Sequence, residues 1–402
     1  MYFRRIGLIG RVDNTDKKIE TEYKKWDVWF LFIIILLYML TCVPLAGSIP
    51  MYSRFIILPA MMVVSFYKSE SPAKVDWLTI AFFVVAVFPS ILFSPYMGNA
   101  AVKAATVLLM FVSSSMYFYS RCYTGLQSLY RALVIFGYVC VAANFFRFLI
   151  GQGYSGDNFR GYFGNRNACG AALVTIAVVM LAEVWKSEGK KRLFPLVFLG
   201  LDIFMIIITY SRGAFLGLII GLVVFLFFVY EDKVKLLGVC ISIAILAFLF
   251  RGRIQQMPIY ERLTSEGLSR NELWDYAFQV IRDNFLTGVG FSSSQFSNQL
   301  EGNEGYNFHN SYIGLMADVG IFGVIMLALM FLVLGARIYI RYKNIPSKDR
   351  IQYVALIAIC IAFFGLSFGE AYLIVAGSPF SFVFWCCMFC LSLYKQKEIN
   401  NS

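Results

Sequence analysis

His309 is the only histidine among 402 residues. It stands in Phe308-His309-Asn310-Ser311-Tyr312, at the end of the longest polar stretch of an otherwise apolar chain. Imidazole can take a proton from a hydroxyl near neutral pH with little adjustment, so His309 is a candidate general base. Three polar segments upstream supply cations and amides. Phe159-Arg160-Gly161-Tyr162-Phe163-Gly164-Asn165-Arg166-Asn167 combines guanidinium groups, glycines and amides, which suits a tight backbone donating hydrogen bonds to a polar ligand. Arg212 lies in Thr209-Tyr210-Ser211-Arg212-Gly213, squeezed between two apolar runs. A guanidinium so placed requires an anion or a water-filled cavity, and the partner is either a ligand or Asp202, two helical turns deeper. Arg270 falls in the first turn of a helix that Ser269 and Glu272 predict by their capping spacing. It precedes Trp274 by one turn, so the ring can orient the guanidinium. A cation at a helix amino end opposes the macrodipole unless an anion sits there. The candidate set is His309, Arg270 and Arg212 for catalysis, with Arg160, Arg166, Asn165, Asn167, Trp274, Asn310 and Tyr312 contacting substrate. Each has a plain alternative as an interfacial turn, a snorkelling cation or a solvated charge.

The elements that must position these residues are membrane helices. Hydrophobic residues make up 59% of the chain and charged residues 15%. Apolar runs of about 20 residues, about twelve in all, start near Trp29, Arg54, Trp77, Ala101, Ala132, Asn167, Leu193, Gly213, Val234, Tyr312, Ile351 and Tyr372. The expected fold is an all-α polytopic membrane protein. A β-barrel would alternate apolar and polar residues, and a cleaved leader would not follow a charged start and precede so many spans. The reading divides the chain into a cytoplasmic segment 1–28, spans over 29–250, a large external loop 251–311, spans over 312–394 and a cytoplasmic tail 395–402. Most of the 35 basic residues fall on one face, which places both termini in the cytoplasm. Those on the other face are nearly all arginine, among them Arg54, Arg160, Arg166, Arg212 and Arg270, and arginine grips phosphate bidentately. The net charge of +11 is read as topology and attraction to anionic lipid, not nucleic-acid binding.

Within the external loop, Trp274, Ala277, Phe278, Ile281 and Phe285 recur at helical spacing and predict one apolar face. Gly288-Val-Gly290 ends that helix, and Gly320 and Gly323 allow close approach of another helix or a lipid chain. The nine cysteines are scattered in apolar runs, and Cys387-Met-Phe-Cys390 is read as packing. No phosphate-cradling glycine loop and no Asp-x-Asp pair is present in the sequence, so neither cofactor nor metal is expected.

The order Arg270-Asn-Glu-Leu-Trp274, Gly288-Val-Gly290-Phe291, His309-Asn310-Ser-Tyr312 and Gly320-Ile-Phe-Gly323 resembles the signature of the O-antigen polymerase/ligase family. Phe163-Gly-Asn165-Arg-Asn167 and Ser211-Arg212-Gly213 look like two further marks, although Arg166 stands where many relatives have proline. The motifs cover roughly residues 150 to 335, and the topology resembles that of GT-C-type membrane glycosyltransferases. The resemblance implies glycosyl transfer at the outer face of the bacterial cytoplasmic membrane, from a glycan on a polyprenyl pyrophosphate to a sugar hydroxyl. It implies that Arg212 and Arg270 bind pyrophosphate, that His309 orients or deprotonates the acceptor, and that inversion occurs in one displacement without a metal. Implied partners are lipid-linked donor and acceptor glycans, membrane lipids, a chain-length regulator and a flippase. A polymerase is expected, with a ligase acting on a lipopolysaccharide core as the alternative. A flippase for lipid-linked glycans would predict related halves and charges near the bilayer midplane. No internal repeat is visible, and a receptor or scaffold gives no reason for one histidine beside arginines.

Overall fold

The computed structural model describes residues 25–47, 49–67, 69–249, 251–256, 260, 268–294 and 308–396. The segments expected over 1–28 and 395–402, and the middle of 251–311, fall largely outside the described residues. The first nine long helices are α1 (Lys25–Leu40), α2 (Ile49–Phe66), α3 (Trp77–Leu92), α4 (Met97–Ser120), α5 (Gly125–Leu149), α6 (Arg166–Lys186), α7 (Leu193–Ile208), α8 (Arg212–Val229) and α9 (Lys233–Leu249). The expected external segment contributes α10 (Leu268–Asp283), and α11 (Ser311–Lys343), α12 (Ser347–Leu366) and α13 (Pro379–Leu393) complete the bundle. Among the described residues six helices, α4, α5, α6, α8, α11 and α12, are long and apolar enough to cross a membrane. The chain is a helical, polytopic membrane protein. A small hairpin, β1 (Tyr154–Ser155) with β2 (Asn158–Phe159), is the one departure from helix among the described elements.

Among the six span-length helices α6 and α12 are the most enclosed, each 78% buried along its apolar window, whereas α8 is 28% and α11 33% buried. The reason lies in residue size. A methyl group added at Gly170 of α6 would come within 2.4 Å of Ala214 on α8, and one at Gly217 within 2.8 Å of Leu366 on α12. Close backbone approach is how helices gain contact where lipid supplies no hydrophobic drive.

At one end of the bundle the two ends of the described chain meet. Arg121, after α4, pairs with Asp27 of α1 at 3.2 Å, both fully buried, and the neighbouring Cys122 carbonyl accepts from the Lys395 amide at 2.8 Å. The opposite end gathers the segments around residues 42, 164, 211, 290, 309 and 370. There Gly320 (φ 60, ψ −169) breaks α11 near its start. The freed backbone groups are satisfied across the gap: Val289 N–H donates to Ala317 O (2.9 Å), Gly290 N–H to Asp318 O (3.1 Å), and Ile321 N–H to Phe285 O (2.8 Å). Broken helices persist at membrane depth only when protein supplies such partners. What approaches Gly320 closely is therefore the backbone after α10, not a second spanning helix or a lipid chain.

Two further expectations need correction. The last apolar run was expected to start as a span near Tyr372, yet helix α13 begins at Pro379. Ser378 caps it and proline occupies its first turn, while Leu373 and Ile374 are buried as parts of a folded loop. The buried face of α10 is Leu273, Ala277 and Val280, spaced by four and three residues, and Phe278 and Phe285 are exposed. Trp274 and Ile281 flank that face, so the apolar stripe was placed about one position too far along the chain.

Candidate active site

His309 sits where α11 begins, in the left-handed region (φ 47) that residues other than glycine adopt at a cost of order 1 kcal/mol. Its neighbours hold it there. Asn310 caps α11 by accepting from Tyr312 N–H (2.9 Å) and Ile313 N–H (3.1 Å), and donates to Phe368 O (3.2 Å). Ser311 N–H donates to Ser367 O (2.9 Å), and its hydroxyl donates to Glu370 O (3.1 Å) while accepting from Tyr372 N–H (2.8 Å). Tyr312 reaches across to Phe364 O at 2.8 Å. The start of α11 is thus bound to the loop between α12 and α13.

From the other side, α10 fixes the residue before the histidine. Phe308 is buried among Leu273, Ala277, Val280, Val289 and Ala317, and the Trp274 indole N–H donates to Phe308 O at 3.0 Å. Trp274 therefore positions His309 through backbone. Arg270 lies one turn earlier on the same helix, and its side chain lies outside the described residues.

The residue that the sequence reading did not single out is Glu370. Its Oε2 lies 3.1 Å from His309 Nδ1, and its Oε1 accepts a short hydrogen bond from Asn167 Nδ2. Asn167 Oδ1 in turn accepts from the Ser211 hydroxyl at 2.9 Å, and Ser211 caps α8, whose first residue is Arg212. One chain of contacts joins the histidine, a carboxylate, an amide and the helix that carries the arginine. A carboxylate on Nδ1 stabilises the tautomer with the proton there, in which Nε2 is the accepting nitrogen. The signal for Glu370 was present as Phe368-Gly369-Glu370, an acid beside glycine between two apolar runs.

Asn167, Ser211 and Glu370, but not His309, border a cavity of about 360 Å³ that Arg166, Arg212 and Tyr372 also line, together with the first turn of α8 and the end of α12. Two amino-terminal helix ends, α6 and α8, meet at it, which favours a negatively charged occupant. Arg166 also donates to Asn158 Oδ1 at 3.0 Å. Asn165 caps α6 by accepting from Ala168 N–H at 2.8 Å, and Arg160 donates to Gly164 O at 3.3 Å; neither lines the cavity. Asn310 faces a second, smaller cavity together with Ser294 and Asp318. The expected alternative partner of Arg212 does not reach it: both Asp202 oxygens are buried without a hydrogen bond among the described residues.

The bundle and its polar end define an integral membrane protein with a cavity lined by two arginines and by Glu370, the carboxylate that contacts His309. Residues 195–328 match the family model described as O-Antigen ligase. The matched segment holds Ser211–Gly213, Arg270–Trp274 and His309–Tyr312, and it supports the resemblance to the O-antigen polymerase/ligase family, whose members are membrane enzymes of glycosyltransferase type. Asn167 and Glu370 lie outside the matched segment. No curated protein matches the chain.

Proposed function

We propose that this protein is a polysaccharide polymerase that joins glycan repeat units carried on polyprenyl pyrophosphate, at the outer face of the cytoplasmic membrane. The observation that carries this reading is the Glu370–His309 pair beside the cavity of Arg212. The acceptor sugar hydroxyl gives its proton to His309 Nε2 as its oxygen attacks the anomeric carbon of the donor glycan. The bond from that carbon to the pyrophosphate oxygen breaks, and polyprenyl pyrophosphate leaves with both electrons. Arg212 and Arg270 neutralise the charge that builds on the leaving group. Glu370 stabilises the imidazolium that forms. A single displacement inverts the anomeric centre. Because the leaving group is already a good anion, guanidinium groups can fill the role of a metal.

The family match favours a ligase equally, since the two activities differ only in the acceptor. The test is glycan length on gels from a deletion strain complemented with wild type, His309→Ala, Arg212→Ala, Arg270→Ala or Glu370→Gln, with membrane levels checked by immunoblot. A ladder with wild type and single repeat units with well-expressed variants is the expected result. Long polymer stranded on its lipid carrier in the deletion strain would make the protein a ligase. Normal glycan from His309→Ala, Arg212→Ala and Arg270→Ala together would refute the site.

A further inference from the structure

Helix α2 turns one cation into the bundle. Leu58 and Met61 are fully buried, and Arg54 lies one and two turns before them on the same face. No carboxylate among the described residues pairs with its guanidinium. Arg54 lies over the Phe55 ring at 5.1 Å, and its Nε is buried without a hydrogen-bond partner. Its terminal nitrogen is seated against Gly377, where an added methyl would come within 1.6 Å of it. Gly377 (φ 76) immediately precedes Ser378 and Pro379, the cap and first residue of the 15-residue helix α13. An arginine at a helix amino terminus meets the positive end of the macrodipole, an unfavourable juxtaposition unless an anion lies between them.

A second, independent observation points the same way. Tyr38 of α1 is 1% exposed, and its hydroxyl also has no hydrogen-bond partner. Its ring stacks on Phe382 in the first turn of α13 at 4.3 Å. Buried polar groups without partners are rare, and two donors beside one helix amino end leave a place for an acceptor. This place is at the same end of the bundle as the cavity, because one loop carries both Glu370 and Gly377.

We propose that Arg54, Tyr38 and the amino end of α13 form a second phosphate site, which holds the lipid pyrophosphate of the acceptor while the Arg212 cavity holds that of the donor. The inference rests on the polymerase reading, in which both substrates carry a polyprenyl pyrophosphate. A ligase acting on a lipopolysaccharide core has no such second group to place. Guanidinium and helix N–H groups suit a phosphate oxyanion, and the half-buried position of Arg54 suits a headgroup at the membrane surface.

The test uses the full chain in nanodiscs of phosphatidylcholine, titrated with farnesyl pyrophosphate by calorimetry. Wild type is expected to bind two equivalents, and Arg54→Gln and Arg212→Gln one each. Arg54→Lys, which keeps the charge and loses the fork, is expected to bind both with the second about tenfold weaker. An unchanged thermal midpoint in Arg54→Gln separates loss of the site from loss of the fold, and Tyr38→Phe, which deletes only the hydroxyl, gives the same weakening. Two equivalents in Arg54→Gln overturn the proposal. So does displacement of the second equivalent by phosphatidylglycerol at equal mole fraction, which would make this a phospholipid site. Two equivalents in wild type without any glycan elongation would leave the site standing and refute the polymerase.

Discussion

Replacing Glu370 by glutamine removes one charge and keeps the shape of the side chain. The amide can still accept from Asn167 Nδ2, so the link to Ser211 and α8 survives. What is lost is the carboxylate 3.1 Å from His309 Nδ1. Two unit charges at that distance interact by about 5 kcal/mol at an effective dielectric near 20, which is a ceiling. The side chains are 34% and 15% exposed, so water screens the pair, and a charged hydrogen bond of this kind contributes about 2 kcal/mol. That contribution grows as the imidazole becomes a cation in the transition state, so the loss appears in kcat, by about thirtyfold. KM for the donor should stay the same or fall, because removing an anion beside the Arg212 cavity does not weaken pyrophosphate binding. The assay is initial-rate elongation of a lipid-linked repeat unit by purified protein in nanodiscs. Glu370→Gln with wild-type kcat, alongside an inactive His309→Ala, would refute the assignment of the pair to proton transfer.

Trp274→Phe keeps an aromatic ring but loses the indole donor to Phe308 O, so it should lower kcat by about fivefold, the equivalent of one hydrogen bond of about 1 kcal/mol, measured in the same assay. Gly320→Ala places a methyl 2.4 Å from the Leu286 carbonyl at a φ of 60, and a loss of at least 2 kcal/mol should show as a lower thermal midpoint and reduced membrane level. Asp202→Asn removes a carboxyl whose oxygens have no hydrogen-bond partner among the described residues, so the thermal midpoint should hold or rise and activity should persist. A large loss of activity with an intact fold would show that Asp202 has work to do.

The class of protein and several local features were legible without coordinates, because each depends on short-range patterns. Apolar runs of spanning length predict helices, and those helices are present wherever the runs were read, apart from the stretch between Tyr372 and Pro379. Ser211 and Asn310 precede α8 and α11 because a short polar side chain before an apolar run satisfies backbone N–H groups locally. Ser269 marks the α10 start to within one residue of Leu268. Arg212, Asn167 and His309 stood out because polar groups are expensive beside lipid, and composition alone exposes that cost.

The partners of those residues were decided by tertiary structure alone. Asn167, Ser211, His309 and Glu370 come from four separate segments, and the spacing within any one of them says nothing about the others. Asp202 had the right spacing to pair with Arg212 and does not, since its place on α7 turns it into the bundle. The exchange of backbone hydrogen bonds at Gly320 likewise depends on the chain after α10 arriving at the break in α11. Hydropathy and caps are properties of neighbouring residues, so the sequence by itself determined a helical membrane protein with cations and one histidine in its polar segments. The carboxylate behind that histidine, and the cavity it shares with Arg212, exist only because α6, α8, α11 and the α12–α13 loop converge.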